Sequence, residues 1–236
     1  MPLVILCGGL GKRIEFVSKG LPKILLPIGS KSFLEIQIEK YSTEGVEEFI
    51  YILGYKNTLV EKEIKKIKKR NSKLKINILY EGQNRLGTGG SIKKLINFLP
   101  EYFLLTYGDN YLNINIQKLI KRFVAGDYSK NILSIFKNQS WLEPSNIIFD
   151  ENNSRIIKYS KNSNEDMEYI DYGMSLWKND FIKFIAVEEQ IFDFSVFIDA
   201  AIKKNMLDSF IVQERFYEIG TPKTYEDFKK FYLNNV

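Results

Sequence analysis

Residues 3–14, LVILCGGLGKRI, set a short apolar run, a glycine cluster and two cations in immediate succession. After a strand, consecutive glycines let the backbone come close to a ligand, so that amide hydrogens converge on phosphate oxygens. Gly8, Gly9 and Gly11 suit that chemistry, and Arg13 adds forked donors for a phosphate. Four readings are open. A dinucleotide loop, G-x-G-x-x-G, would begin at Gly9 and Gly11 but meets Ile14 where its third glycine belongs. A P-loop would follow Gly11-Lys12 with a magnesium-binding hydroxyl, and Arg13 stands there instead. The third reading is a nucleoside-triphosphate loop whose charge comes from Arg13 and a later lysine. The fourth is a tight strand–helix turn that holds nothing. Residues 21–28, LPKILLPI, supply a candidate for that lysine: Lys23 lies between Pro22 and Pro27, which disfavour helix, so an extended rigid strap is expected. Lys23 there is either a surface charge or a fixed cation over the loop.

Composition narrows the chemistry. The chain of 236 residues contains no His, which excludes His-based proton transfer and His-ligated zinc. One Cys excludes an internal disulfide and suits a reducing compartment. The formal charge of +5 fits an anionic partner, nucleic acid or small phosphates. The basic stretch EKEIKKIKKR, 61–70, tests the first of these. Val60, Ile64 and Ile67 recur at helical spacing, which puts the cations on the opposite, solvated face. Neither nucleic acid nor membrane is therefore expected as a partner. The apolar run at Leu3–Cys7 is too short for a signal-peptide core, and a soluble, cytoplasmic protein is expected.

The elements that must position these residues alternate in type. Leu3–Cys7, Phe49–Leu53, Lys75–Tyr80, Tyr102–Thr106 and Asn131–Phe136 read as strands. Helices are expected over Phe33–Glu44, Val60–Arg70, Ser91–Phe98 and Ile116–Val124, the first opened by a Ser32/Glu35 capping box. Further on, Asn146–Phe149 and Arg155–Tyr159 flank a hairpin-like turn, and Met174–Trp177 reads as a strand. Helices follow near Asn179–Ala186, Phe194–Lys203 and from Thr221-Pro222 to about Leu233. This predicts one α/β domain: a Rossmann-like, doubly wound, mostly parallel sheet flanked by helices, with a small mixed β insertion near 138–170. A nucleotide-binding half of about 1–110 and an acceptor-binding half of about 111–236 are expected within it.

Gly8-Gly9-Leu10-Gly11-Lys12-Arg13, then Leu21-Pro22-Lys23, Pro27 and Phe33-Leu34 resemble the signature of the sugar-1-phosphate nucleotidyltransferases, G-G-x-G-[T/S]-R-L followed by P-K-x-x-x-P. Lys12 replaces the small hydroxyl residue and Ile14 the leucine. LGTGGSI (86–92) resembles the family's segment against the nucleotide base, LLTYGDN (104–110) its metal-binding Gly-Asp, IDYGMSLW (170–177) its sugar-side segment, and FYEIGTP (216–222) its W-x-D-I-G-T-P. The opening CGG is similar to that of some guanylyltransferases, including those for heptose and mannose phosphates. The family's glutamate before the sugar-side lysine is missing from KYSKN, 158–162.

The resemblance implies a GT-A-like fold and transfer of a nucleoside monophosphate from a nucleoside triphosphate to a sugar 1-phosphate. It implies Arg13, Lys23 and Asp109 as catalytic, and Leu6, Gly8, Gly9, Gly11, Lys12, Arg13, Glu81, Gly87 and Thr88 as the nucleotide set. Asp109, Lys161, Asp171, Tyr172 and Gly173 would bind the acceptor, and Asp109 with Glu218 would hold Mg2+. A homo-oligomer is also implied. A phosphorylated amino alcohol or amide as acceptor, and a non-catalytic nucleotide-binding protein, stay open as alternatives.

Overall fold

The computed structural model describes residues 1–9, 11–54, 57–82, 84–138, 144–162 and 166–235. In chain order the elements are β1 (Leu3–Leu6), α1 (Glu15–Ser18), β2 (Pro27–Ile28), β3 (Lys31–Ser32), α2 (Phe33–Thr43), β4 (Glu48–Leu53), α3 (Asn57–Arg70) and β5 (Lys75–Tyr80). Then come α4 (Gly87–Leu95), β6 (Tyr102–Tyr107), β7 (Asn110–Tyr111), α5 (Ile116–Ala125), β8 (Asn131–Lys137), β9 (Ile147–Asp150) and β10 (Arg155–Tyr159). The chain closes with β11 (Tyr169–Lys178), α6 (Asn179–Phe184), α7 (Ser195–Lys203), β12 (Leu207–Val212), β13 (Tyr217–Glu218) and α8 (Pro222–Asn235). The α/β class expected from the alternation is what forms. Part of the expected insertion, 139–143 and 163–165, lies outside the described residues.

The chain divides into two compact units. The first comprises Met1–Arg85, Thr106–Tyr111 and Phe216–Val236. Its strands β1, β4 and β5 pair in parallel, Leu3 opposite Phe49 and Glu48 opposite Lys75. All four residues of β1 are buried, as a strand covered on both faces requires. Helix α2 starts where the capping box places it, with the Glu35 N–H donating to Ser32 Oγ at 3.3 Å. Its Phe33 ring meets Phe228 of α8 edge-on at 5.3 Å. Short strands β7 and β13 pair antiparallel, Glu218 opposite Asn110.

The second unit comprises Leu86–Leu105 and Leu112–Arg215. Its centre is the long antiparallel pair β8–β11, with β12 parallel to β8 and the β9–β10 hairpin antiparallel as expected. Trp177, Phe194 and Phe197 fill its core, the Trp177 and Phe194 rings 4.9 Å apart.

Two local expectations are corrected. The 21–28 strap is not extended throughout: Lys23–Leu25 forms a 3-10 turn behind Pro22, whose carbonyl accepts the Leu25 N–H at 2.9 Å. A proline preceding a turn lacks only an N–H that the turn does not use, so it starts one without cost. The helix expected from Ser91 begins earlier, at Gly87, because the Gly89 and Gly90 N–H groups donate to the Phe192 carbonyl at 3.1 and 3.3 Å. That tertiary anchor overrides the poor helix propensity of glycine. Among the described residues, no helix is long and apolar enough to cross a membrane.

Candidate active site

In the first unit, the glycine loop leaves β1 and turns into α1 through a 3-10 turn at Lys12–Ile14. The Cys7 N–H donates to the Ile52 carbonyl and the Gly108 N–H to the Leu6 carbonyl, each at 2.9 Å. The loop is thus tied to β4 on one side and to the Gly108-Asp109 turn on the other. Gly11 adopts φ +65°, and a side chain there would meet Lys23 Cγ at 2.9 Å. This is the close approach that the glycine permits. Arg13 is exposed, Gly9 is exposed with open space around it, and Leu6 is buried. The side chain of Lys12 lies outside the described part of the structure.

Lys23 Nζ is ion-paired with Asp109 Oδ2, both side chains about one-fifth exposed at 18% and 21%. The Ile219 N–H donates to the Asp109 carbonyl at 2.9 Å, which sets Glu218 on the strand directly beside this turn. Glu81 is buried in the same unit, and a Cβ at Gly8 would stand 2.5 Å from its Oε1, so the carboxylate would have to shift for any larger residue there. The Cys7 thiol is pushed well up by burial, with Asp109 and Glu81 adding to the rise and Lys23 opposing it. Cys7, Lys23, Glu81 and Asp109 therefore share one electrostatic neighbourhood. The structure brings together Gly8, Gly11, Lys23, Glu81, Asp109 and Glu218 of the residues singled out from sequence.

One supporting residue was not visible in the sequence. Gln37, fully buried on α2, donates from Nε2 to the Tyr107 carbonyl at 3.0 Å and the Asn110 carbonyl at 2.9 Å. It clamps both ends of the turn that carries Asp109. Gln37→Leu leaves two carbonyls without that donor and is expected to cost about 2 kcal/mol. Chemical denaturation checks this, and an unchanged midpoint would show that the clamp adds no stability.

The second unit holds Gly87, Thr88, Lys161, Asp171, Tyr172 and Gly173. Gly87, at φ +70°, lies against the Phe192 backbone, and a Cβ on Gly89 would be 2.5 Å from the Phe192 ring. The chain's own 190–193 segment makes the close approach that these glycines allow. Thr88 Oγ1 donates to Asp193 Oδ2 at 3.0 Å and accepts the Phe194 N–H at 2.9 Å. Lys161 Nζ lies 2.6 Å from the same Asp193 oxygen. Tyr172 is fully buried, with its hydroxyl accepting the Asn113 N–H at 3.1 Å, as a core tyrosine does. Asp171 Oδ1 accepts the Gly173 N–H at 2.9 Å, and Tyr159 Oη donates to Oδ2 at 3.4 Å.

Burial pushes the Asp171 carboxyl up to about 6, against the lowering effect of the Gly173 N–H and the Tyr159 hydroxyl. Asp193 adds to the rise and Lys161 opposes it. A raised carboxyl means that the native state holds a proton the unfolded chain has released, so its contribution is full below about pH 4 and lost as pH rises through about 6. Asp171→Asn is therefore expected to stabilise the protein at pH 7, on the order of 2 kcal/mol, and by nothing at pH 4. Melting curves from pH 4 to 8 read this directly, and a gap between variant and parent that stays constant with pH would contradict it.

The Nucleotidyl transferase family model matches residues 3–235. The chain is 30% identical over 236 residues to D-glycero-alpha-D-manno-heptose 1-phosphate guanylyltransferase of Campylobacter jejuni, with 100% of each chain covered. It is 26% identical over 231 residues to the protein of that name from Aneurinibacillus thermoaerophilus, covering 98% and 97%. The crystal structure of HddC from Yersinia pseudotuberculosis complexed with GMP-PN superposes with a TM-score of 0.77 at 24% identity, covering 98% of this chain and 99% of that one, a likeness of fold. With a match over nearly its whole length, and with the glycine loop, Lys23 and Asp109 gathered in one unit, the chain belongs to the nucleotidyl transferase family, as one of its sugar-1-phosphate nucleotidyltransferases.

Proposed function

We propose that this enzyme transfers GMP from GTP to a heptose 1-phosphate or a closely similar sugar 1-phosphate, forming a GDP-sugar and releasing pyrophosphate. The names of the two full-length relatives support the base and the acceptor. The observation that carries the reading is the Lys23–Asp109 pair beneath the glycine loop, with Glu218 on the adjoining strand.

In the proposed reaction, an acceptor phosphate oxygen forms the new bond to the α-phosphorus as the bond from that phosphorus to the pyrophosphate oxygen breaks. The nucleophile is already an anion, so no protein base is needed, and a chain without histidine loses nothing. The barrier is the repulsion between two polyanions, and catalysis is positioning plus fixed charge. Amides of Gly8, Gly9 and Gly11 hold triphosphate oxygens, and Arg13 grips the departing pyrophosphate through its forked donors. Lys23 offsets the charge around the α-phosphate. Glu81, Gly87 and Thr88 serve the nucleotide, while Lys161, Asp171 and Gly173 serve the acceptor; Tyr172, expected with them, is a fully buried core residue instead. Asp109, on the turn before β7, and Glu218, on β13 paired with β7, fit a magnesium ion, because both are hard oxygen donors and magnesium takes few carboxylates beside water and phosphate. When bound, that ion supplies positive charge to the phosphate oxygens.

The test is a matrix of the four common triphosphates against D-glycero-alpha-D-manno-heptose 1-phosphate, mannose 1-phosphate, glucose 1-phosphate and a phosphorylated amino alcohol, with magnesium and pyrophosphate detection. GTP with the heptose phosphate is expected to give the fastest release. Turnover confined to the amino alcohol phosphate, or none with any sugar phosphate, would overturn the reading.

A further inference from the structure

We propose that Asp193 is a positioning residue for the acceptor's phosphate, acting through Lys161 and tying it to the start of α4. The proposal rests on the reading above that Lys161 serves the acceptor.

Three separate stretches of the second unit converge on this one carboxylate. Oδ2 takes Lys161 Nζ at 2.6 Å, from just beyond β10, and Thr88 Oγ1 at 3.0 Å, from the first turn of α4. Oδ1 takes the Ser195 N–H at 3.0 Å, at the start of α7. The neighbouring backbone repeats the attachment to α4: Phe192 accepts the Gly89 N–H through its carbonyl at 3.1 Å and donates its N–H to the Leu86 carbonyl at 3.0 Å. Asp193 is therefore fixed by its own segment before Lys161 reaches it.

Stability does not explain the lysine's place in this arrangement. The side chains of Lys161 and Asp193 are 61% and 38% exposed, and an exposed ion pair contributes about 0–1 kcal/mol. What the pair does is restrict a long, flexible side chain to one position. A lysine ammonium carries three donors, and one directed to Asp193 leaves two for an anion. Burial would raise the Asp193 carboxyl, yet the hydrogen bonds from Lys161 and Ser195 outweigh it and hold it below the ordinary range, so Asp193 stays charged at neutral pH. Asp171 lies in the same field, and its own carboxyl is pushed the other way. Of the two acids, Asp193 is the one built to carry charge and hold Lys161. Thr88 is bound by the same oxygen, so α4 and Lys161 keep one register.

The test uses the full chain with the triphosphate and sugar phosphate found in the matrix. Asp193→Asn keeps one oxygen for the Ser195 N–H, puts an amide that only donates where Thr88 and Lys161 share an acceptor, and removes the charge that holds Lys161. It is expected to raise the acceptor KM about tenfold and the triphosphate KM by less, since the nucleotide is reached only through Thr88. Asp193→Glu moves the charge by one methylene and serves as the second variant: the same split at smaller size is expected, and it carries the test if the asparagine variant does not fold. In a Lys161→Met background, Asp193→Asn should add nothing to the acceptor KM. A further loss there, or an acceptor KM within twofold of wild type in the foldable Asp193 variant, overturns the positioning role while leaving the transferase reading intact. Failure of the wild-type chain to use any sugar phosphate overturns the reading itself, and this proposal with it.

Discussion

Asp109→Asn is expected to lower magnesium-dependent turnover about 10²–10³-fold while leaving the melting temperature nearly unchanged. The two effects separate because the turn carrying Asp109 is held by groups other than its carboxylate. The Ile219 N–H donates to its backbone carbonyl, and Gln37 holds the carbonyls at Tyr107 and Asn110. The carboxylate itself engages Lys23, and neither side chain is sealed from solvent, so the ammonium stays hydrated when the partner charge is removed. Asparagine is nearly the same size and keeps one oxygen. What it loses is the negative charge that the proposed reaction assigns, with Glu218, to holding magnesium. Pyrophosphate release titrated with magnesium checks both parts: the variant should need more metal for half-maximal rate and reach a lower ceiling. Wild-type turnover at ordinary magnesium would remove Asp109 from the metal site.

The sequence displayed the parts of this site that are local. A glycine loop after a buried strand, a lysine behind a proline and a Gly-Asp at a strand end are each written in a few consecutive residues. The capping box at Ser32 and the apolar spacing of α3 were legible for the same reason. Gln37 and Asp193 were not legible, because what they do is fixed by partners far along the chain. Gln37 reads as one more polar position on a helix that also carries Glu35, Glu39 and Lys40, yet its partners are 70 and 73 residues away. Asp193 bonds Thr88 across 105 residues. Strand β11 was expected over four residues and runs over ten, from Tyr169 to Lys178. Asp171, Tyr172 and Gly173 disguise its start: Gly173 turns to φ +91°, and the pairing with β8 shifts register between Asp171 and Ser175. A bulge breaks the alternation by which strands are recognised. The helical start at Gly87 was hidden by its glycines, whose value is the room they leave for Phe192.

Lys23→Ala is expected to slow the chemical step about 10²–10³-fold and to weaken triphosphate binding far less. Asp109 offsets much of the lysine's charge, so ground-state binding gains little from it. Charge builds around the α-phosphorus only during transfer, and a cation already fixed nearby interacts most strongly at that moment. Its fixing is structural: the 3-10 turn at Lys23–Leu25 sets the backbone, and the stem lies against Gly11, where any side chain would push it away. Alanine removes the ammonium and keeps the turn, whose backbone bond to Pro22 does not involve the side chain. Single-turnover rates set beside equilibrium binding of a non-hydrolysable triphosphate separate the two quantities. Equal losses in both would reduce Lys23 to a docking group. The double variant with Asp109→Asn should lose much less than the product of the single losses, since each residue positions the other. Multiplying losses would mean that the two act independently, and the ion pair seen between them would then have no part in the reaction.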